Sequence, residues 1–165
     1  MDAQTLIILC RLKGAEYEWI RQLGNVGLLE IQAVEEAIDR IVVDRMRLAE
    51  ELLKEAKTLS KGSGVSLRTA ISRAYYAQYH SARAVIFHLY RRDMDDHTSL
   101  PRAIEKVFGK PLGDVLKYWR EKRNKVDYSP YPQFDLRVTA REGVESAKHF
   151  LNICTDHLRK RGVAL

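Results

Sequence analysis

Residues that interrupt helices are scarce in this chain. Only nine glycines and four prolines occur among 165 residues, so long stretches contain neither. Both types disfavour a helix interior, proline because it lacks a backbone N–H and glycine because of its conformational freedom. No segment of useful length shows the alternation of apolar and polar residues that an amphipathic strand requires. The sequence therefore predicts an all-α protein.

Cysteines and long apolar runs are also scarce. The two cysteines, Cys10 and Cys154, lie far apart in the chain, which excludes a disulfide framework and a zinc-binding cysteine pattern. The longest apolar run, residues 6–10, is far shorter than the roughly 20 residues that cross a bilayer. No basic segment precedes this run, as one would in a secretory signal. We expect a cytoplasmic protein with no membrane association, no metal and no cofactor.

Apolar residues recur every three or four positions in five segments, which is the spacing of amphipathic helices. Short connections between such helices predict an antiparallel up-and-down bundle of four to five helices. Ser66, Thr98 or Ser99, and Asp114 are the expected N-cap residues of the second, third and fourth helices. The predicted long helices cover about 31–60, 66–92, 115–126 and 134–160, and a shorter one follows Thr98 or Ser99 and ends at Gly109, Pro111 and Gly113.

Residues 1–29 depart from this regular pattern. Their apolar residues suggest two short helical pieces, and Gly24 and Gly27 mark a break before the first long helix. We predict an N-terminal helical extension over 1–29 and a helical bundle domain over 30–165. The sequence leaves open whether the extension is an integral part of the fold, an oligomerisation arm or a loosely packed segment.

Basic residues are locally concentrated within a net charge of +6. They cluster at 91–92, at 120–125 and at 159–161. Such clusters attract phosphate groups, which favours nucleic acid or nucleotide binding. Lysine and arginine are also favourable near the C-terminal ends of helices, so a solvated surface explains the clusters equally well.

One stripe of the helix predicted at 66–92 mixes cations, aromatic residues and a histidine. Arg73, Tyr76, His80 and Arg83 recur on it at the spacing of a core face. Because an unpaired buried charge is costly, each cation needs a partner, and we predict a buried ion pair between Arg73 and Asp127. The tyrosines at 75, 76 and 79 are expected to pack with bonded hydroxyls.

Three motifs, in this order, resemble the HEPN superfamily. The first is RAYYAQYH at 73–80, the second is HTS at 97–99 and the third is RNKVDY at 123–128. The resemblance covers about residues 40–155 and is strongest to small stand-alone HEPN proteins of bacteria and archaea.

The resemblance implies a fold, a ligand class and partners. HEPN domains are four- or five-helix bundles that usually form homodimers and bind nucleotides or RNA. Many are metal-independent ribonucleases, and many act beside a small nucleotidyltransferase, often as the toxin of a toxin–antitoxin pair. The active forms carry an arginine, four to six further residues and then a histidine. Two copies of this motif meet across the dimer axis.

This chain departs from that motif at the histidine. Arg123 and the polar Asn124 match, but the histidine position falls on Tyr128. The tyrosine that partner nucleotidyltransferases modify in related systems would fall on Pro130, with Tyr131 one residue further.

The missing histidine changes the chemistry that we expect. Arg123 can still hold a phosphate, since a guanidinium suits bidentate phosphate contact. Tyr128 is a poor base at neutral pH, because a free phenol titrates near pH ~10. His80 and His97 are alternative bases, although His80 is also typical of a core histidine.

Three hypotheses follow. In the first, a homodimeric HEPN protein binds nucleotide or RNA and acts with a nucleotidyltransferase. In the second, the protein is a metal-independent endoribonuclease in which Tyr128, His80 or His97 replaces the missing histidine. In the third, it is a structural helical dimer without a ligand. The candidate catalytic residues are Arg123, Tyr128 and His80, and the candidate ligand-binding residues are Arg73, Tyr76, Arg83, His97, Lys122, Asn124, Lys125, Asp127 and Tyr131.

Overall fold

The computed structural model describes residues 3–165 and confirms the all-α fold. Five helices form the predicted bundle, and two further helices precede it. Helices that follow one another are joined by short connections, as in an up-and-down bundle. The helices of the described chain are α1 (Ala3–Leu9), α2 (Gly14–Asn25), α3 (Ile31–Leu59), α4 (Val65–Tyr90), α5 (Ser99–Phe108), α6 (Lys110–Tyr128) and α7 (Leu136–Arg159).

Helix α4 lies at the centre of the bundle and contacts α3, α5, α6 and α7. A stripe of small residues makes these close contacts possible, because short side chains let neighbouring helices approach. Ala74, Ala77, Ser81 and Ala84 form this stripe, and all four are completely buried. The central position of α4 places the side chains of its polar stripe against several other helices at once.

The N-terminal helices pack against the bundle to different extents. Leu9 and Leu12 are buried within the main hydrophobic core, next to residues of α3 and α4. Helix α2 has no fully buried residue, and the Tyr17 hydroxyl attaches it to α3 by a hydrogen bond to Glu35. No helix of residues 3–165 combines the length and the apolar character that a membrane span needs.

Two predicted N-caps are wrong. Helix α4 starts at Val65 after Gly64, so Ser66 lies within its first turn. Helix α6 starts at Lys110, and Asp114 lies one turn inside it, where it pairs with the Lys110 ammonium. Pro111 fits this early start, because proline is tolerated in the first turn of a helix.

The predicted side-chain cap of α5 by Thr98 or Ser99 is also wrong. Thr98 occupies the N-cap position, but its own side chain does not cap the helix. The carboxylate of Asp96 accepts hydrogen bonds from the backbone N–H groups of Thr98 and Ser99 instead. Hydrogen bonds from the hydroxyls of Ser99 and Thr98, together with these backbone bonds, hold the pKa of Asp96 well below its usual value. The loop before α5 therefore has a fixed conformation beside His97.

Candidate functional site

Arg123 lies near the end of α6, and only 16% of its side chain is exposed. Its Nε is 2.8 Å from Oδ2 of Asp127, one helical turn further on, although the N–H is not aligned for a hydrogen bond. Nη1 donates to Oδ1 of Asn124 at 3.0 Å, and Nη2 donates to the hydroxyl of Tyr76 on α4. These contacts from α4 and α6 fix the guanidinium in one orientation.

An aromatic cluster on α4 surrounds His97. The His97 ring stacks on the ring of Tyr79, with centroids 4.2 Å apart. Its Nδ1 lies 2.6 Å from the Tyr75 hydroxyl, and the Tyr79 hydroxyl donates to the backbone oxygen of Asp95 at 2.6 Å. The prediction that Tyr75 and Tyr79 pack with bonded hydroxyls is confirmed. Together these contacts place His97 beside Tyr76.

The charges of two arginines act on His97. Burial lowers the pKa of His97, and the positive charges of Arg123 and Arg120 lower it further. Arg120 also donates a hydrogen bond to the His97 backbone oxygen at 2.8 Å. His97 is therefore a neutral imidazole at pH 7, and its Nε2 has no hydrogen-bond partner within residues 3–165.

Tyr128 lies at the surface end of this cluster. It is 76% exposed, and its ring centroid is 5.7 Å from Cζ of Arg123. The centroid of the Tyr76 ring lies 5.0 Å from the same Cζ. Arg123 thus lies near the rings of a partly buried tyrosine and an exposed one, an arrangement that stabilises a cation near aromatic faces.

Arg68 fastens the loop after α6, and no sequence motif pointed to this residue. Its guanidinium donates to the backbone oxygens of Val126, Ser129 and Pro130 at 2.6–2.9 Å. These bonds satisfy carbonyl groups that a helix end leaves without partners. Tyr131 follows directly and is 84% exposed.

The predicted ion pair between Arg73 and Asp127 is wrong. Arg73 pairs with Glu55 of α3 at 3.0 Å, and both side chains are substantially exposed. Asp127 is instead occupied by Arg123, its neighbour one turn back on α6. The contact from α4 to Asp127 comes from Ser72, whose Oγ lies 3.4 Å from Oδ2. Arg73 therefore lies outside the cluster around Arg123.

Arg83 belongs to a second, buried charge network. Its guanidinium and that of Arg45 share the carboxylate of Asp93, at 2.6 Å and 2.8 Å. Arg45 also donates to the backbone oxygen of Cys10, which ties α1 to the bundle. His80 lies beside this network, where burial and then the charges of Arg83 and Arg45 lower its pKa to about 4.

The two candidate lysines differ in their surroundings. The ammonium of Lys122 lies 4.2 Å from the ring centroid of Phe134 and 5.2 Å from that of Tyr118. Lys125 is exposed and forms no ion pair within the described residues. Both lysines are on α6, next to Arg123 in sequence, and both can add positive potential to the surface near it.

The arrangement is therefore an all-α bundle with a fixed arginine, a neutral histidine and several tyrosines at one surface. The family model for the HEPN domain matches residues 42–158. The chain belongs to the HEPN domain family. No curated protein matches the sequence. Membership of this family suggests a function related to nucleotides or RNA.

Proposed function

We propose that this HEPN protein binds a phosphate group of a nucleotide or RNA at Arg123. The fixed guanidinium of Arg123, which bonds to the Tyr76 hydroxyl and lies near the Tyr128 ring, carries this proposal. Each terminal guanidinium nitrogen has two N–H groups, and only one on each is bonded within the described chain. The remaining pair can donate to two oxygens of one phosphate in the planar geometry that arginine offers.

Neighbouring charges favour a phosphate at this position. Asp127 compensates Arg123 itself, so additional cations must supply the attraction for an anion. Arg120 lies on the inner side, where its charge acts on His97, while Lys122 and Lys125 lie further along α6. The exposed ring of Tyr128 offers a surface on which a base can stack.

Two protein associations and a cytoplasmic location belong to this proposal. The resemblance to stand-alone HEPN proteins supports a homodimer that acts in the cytoplasm with a small nucleotidyltransferase, as part of a toxin–antitoxin module. The exposure of Tyr131 next to a loop fixed by Arg68 fits contact with a partner protein, because an accessible side chain on a rigid support is easily engaged. Size-exclusion chromatography with light scattering, and co-purification with such a nucleotidyltransferase, test these two associations.

His97 favours a second function, that of a metal-independent ribonuclease. When the proton of its ring is on Nδ1, that nitrogen donates to the Tyr75 hydroxyl and Nε2 is free to accept a proton. Nε2 would take the proton of the ribose 2′-hydroxyl, whose oxygen attacks the adjacent phosphorus. Arg123 would stabilise the charge on the phosphorane, and the 5′-oxygen would leave with a proton from water, giving a 2′,3′-cyclic phosphate and a 5′-hydroxyl. His80 is less suited to this role, because its low pKa of about 4 makes it a weak base.

Binding is tested by titrating labelled mononucleotides and short RNAs into wild type, Arg123→Ala and Arg141→Ala at low salt. Arg141 is an exposed arginine of α7 without an ion pair in the described chain, so it controls for the loss of one positive charge. We expect Arg123→Ala to weaken binding roughly tenfold or more, as for loss of a charge-assisted bidentate contact. Equal binding by all three proteins would contradict the site at Arg123, and no binding by wild type would support the purely structural dimer instead.

Cleavage is tested with the same proteins, plus His97→Asn and Tyr128→Phe, on host RNA in EDTA. A ribonuclease that uses His97 loses activity in Arg123→Ala and His97→Asn but keeps it in Tyr128→Phe. Activity that is lost in Tyr128→Phe and kept in His97→Asn would assign the base to the tyrosine. Intact RNA with every protein, including wild type with its partner, would exclude the ribonuclease function.

A further inference from the structure

A cleft beside the short helix α5 is lined by cations and by no carboxylate. Its volume is ≈ 340 Å³, and it lies between the end of α4, the following loop and α5. Arg92, Arg102 and Lys106 line it, and none of the three forms an ion pair within the described chain. Several other cations of the described chain do pair with a carboxylate, as Arg73 does with Glu55. Three cations left without a carboxylate create a positive potential in a confined space.

Neutral groups in this cleft suit a nucleotide. The ring of Tyr90 is 44% exposed, and Cζ of Arg92 lies 5.7 Å from its centroid. Met94, Ser99 and Ala103 complete the lining, and the Ser99 hydroxyl donates to the carboxylate of Asp96. An exposed aromatic face beside cations is the combination that holds a base and its phosphate in single-strand binding sites.

Helix α5 connects this cleft to the surface near Arg123. Ser99, Arg102 and Lys106 follow the helical repeat along one face of α5, so they form a continuous row. Arg102 also lines a second cleft between α5 and α6, of ≈ 350 Å³, together with Lys117 and Arg120. Glu105 and Asp114 line this second cleft too, and Asp114 is paired with Lys110. Arg120 in turn contacts His97.

We infer that a single-stranded nucleic acid lies across α5, with its phosphodiester backbone along Arg92, Lys106, Arg102, Lys117 and Arg120 toward Arg123. This inference rests on the proposed function, because it extends the ligand of that site from one phosphate to a strand. A mononucleotide would fill one cleft and leave the other cations without a counter-charge. Helix α5 is about 15 Å long, so only a ligand with several phosphates contacts the whole row.

The test compares a twelve-nucleotide single-stranded RNA with a mononucleotide, on wild type and on two triple variants. The first variant carries R92Q, R102Q and K106Q. The second carries K54Q, K57Q and K148Q, which remove three cations from a cleft between α3 and α7 that also contains Glu50 and Glu145. All six residues are on the surface, and thermal unfolding verifies that both variants fold. Fluorescence anisotropy at several salt concentrations gives the affinity and its salt dependence.

We expect the first variant to bind the RNA roughly tenfold or more weakly and to lower the slope of log K against log salt by about 2, since each lost phosphate contact removes ~0.7. The control variant and mononucleotide binding should be almost unchanged. Equal RNA affinity and slope in wild type and in the first variant would overturn the inference. A DNA strand of the same sequence shows whether the ligand is any single strand or RNA alone.

The outcomes separate this inference from the proposed function. Mononucleotide binding that depends on Arg123, with RNA binding no tighter, would leave the proposed function in place and reject the path along α5. RNA binding that depends on the three cations but not on Arg123 would establish the α5 surface and reject the site at Arg123. Absence of any binding by wild type would reject both.

Discussion

The carboxylate of Asp127 lies 2.8 Å from Nε of Arg123, the residue to which we assign phosphate binding. A carboxylate this close compensates the charge of the guanidinium and opposes an incoming phosphate. It also keeps the side chain in place, since 16% of Arg123 and 29% of Asp127 are exposed. The pair therefore combines a positioning effect with a cost in affinity.

Replacement of Asp127 by Asn should strengthen phosphate binding. The amide retains the size of the side chain and removes the negative charge, so we expect a roughly two- to fivefold lower Kd, in line with the modest value of partly exposed ion pairs. Isothermal titration with a mononucleotide measures this change. Asp114→Asn is the matched control, because Asp114 is an exposed residue of the same helix whose partner is Lys110. Weaker binding by Asp127→Asn would mean that positioning outweighs repulsion.

Replacement of Arg68 by Ala should release the loop after α6. Three backbone oxygens lose a charged donor, and we expect a loss of about 2 kcal/mol in the free energy of unfolding. Urea denaturation measures the stability, and limited proteolysis reports cleavage between residues 129 and 134. Arg141→Ala, on the exposed face of α7, should change neither property. A loop as resistant as that of wild type would show that the Arg68 bonds do not hold it.

Replacement of the buried Asp93 should destabilise the fold strongly. Its side chain is 6% exposed and compensates both Arg45 and Arg83. Asp93→Asn leaves two buried cations without a counter-charge and should cost about 3–5 kcal/mol of stability. Asp95→Asn, two residues away and exposed, is the control and should be nearly neutral. Equal unfolding midpoints for the two variants would contradict this account of the network.

His80 should make stability depend on pH below neutrality. Its pKa is lowered to about 4 in the folded protein by burial and by Arg83 and Arg45, while a histidine in an unfolded chain titrates near 6.5. Above pH 6.5 neither state binds this proton. Between 6.5 and 4 the unfolded state binds it alone, so the free energy of unfolding falls by up to about 1.4 kcal/mol per pH unit.

The His80→Gln variant isolates this contribution from those of the other histidines. The difference in unfolding free energy between wild type and the variant should shrink, or reverse, as the pH falls from 6.5 to 4. Denaturation at several pH values measures it, and an NMR titration of the His80 ring gives its pKa directly. A His80 ring that titrates near 6.5 in the folded protein would contradict the lowering of its pKa by burial and by Arg83 and Arg45.

The helices and the family could be predicted from the sequence. The spacing of apolar residues gave α3 and α7 to within two residues, because the helical repeat is a local property that side-chain order records directly. The three ordered motifs gave the HEPN family, which the family model over residues 42–158 confirms. The division of the chain at residues 29 and 30 stays a prediction.

The partners of the charged residues were decided only by the tertiary structure. The helical spacing of Arg73 and Asp127 was compatible with an ion pair between them. The packing of the helices instead brings Arg73 to Glu55, and Asp127 pairs with Arg123. An ion pair forms or fails over a few ångströms, whereas a periodic pattern fixes only which face of a helix is turned inward. The sequence by itself therefore determined the helices and the position of Arg123 in a motif, and packing alone determined that Tyr76 and His97 lie beside it.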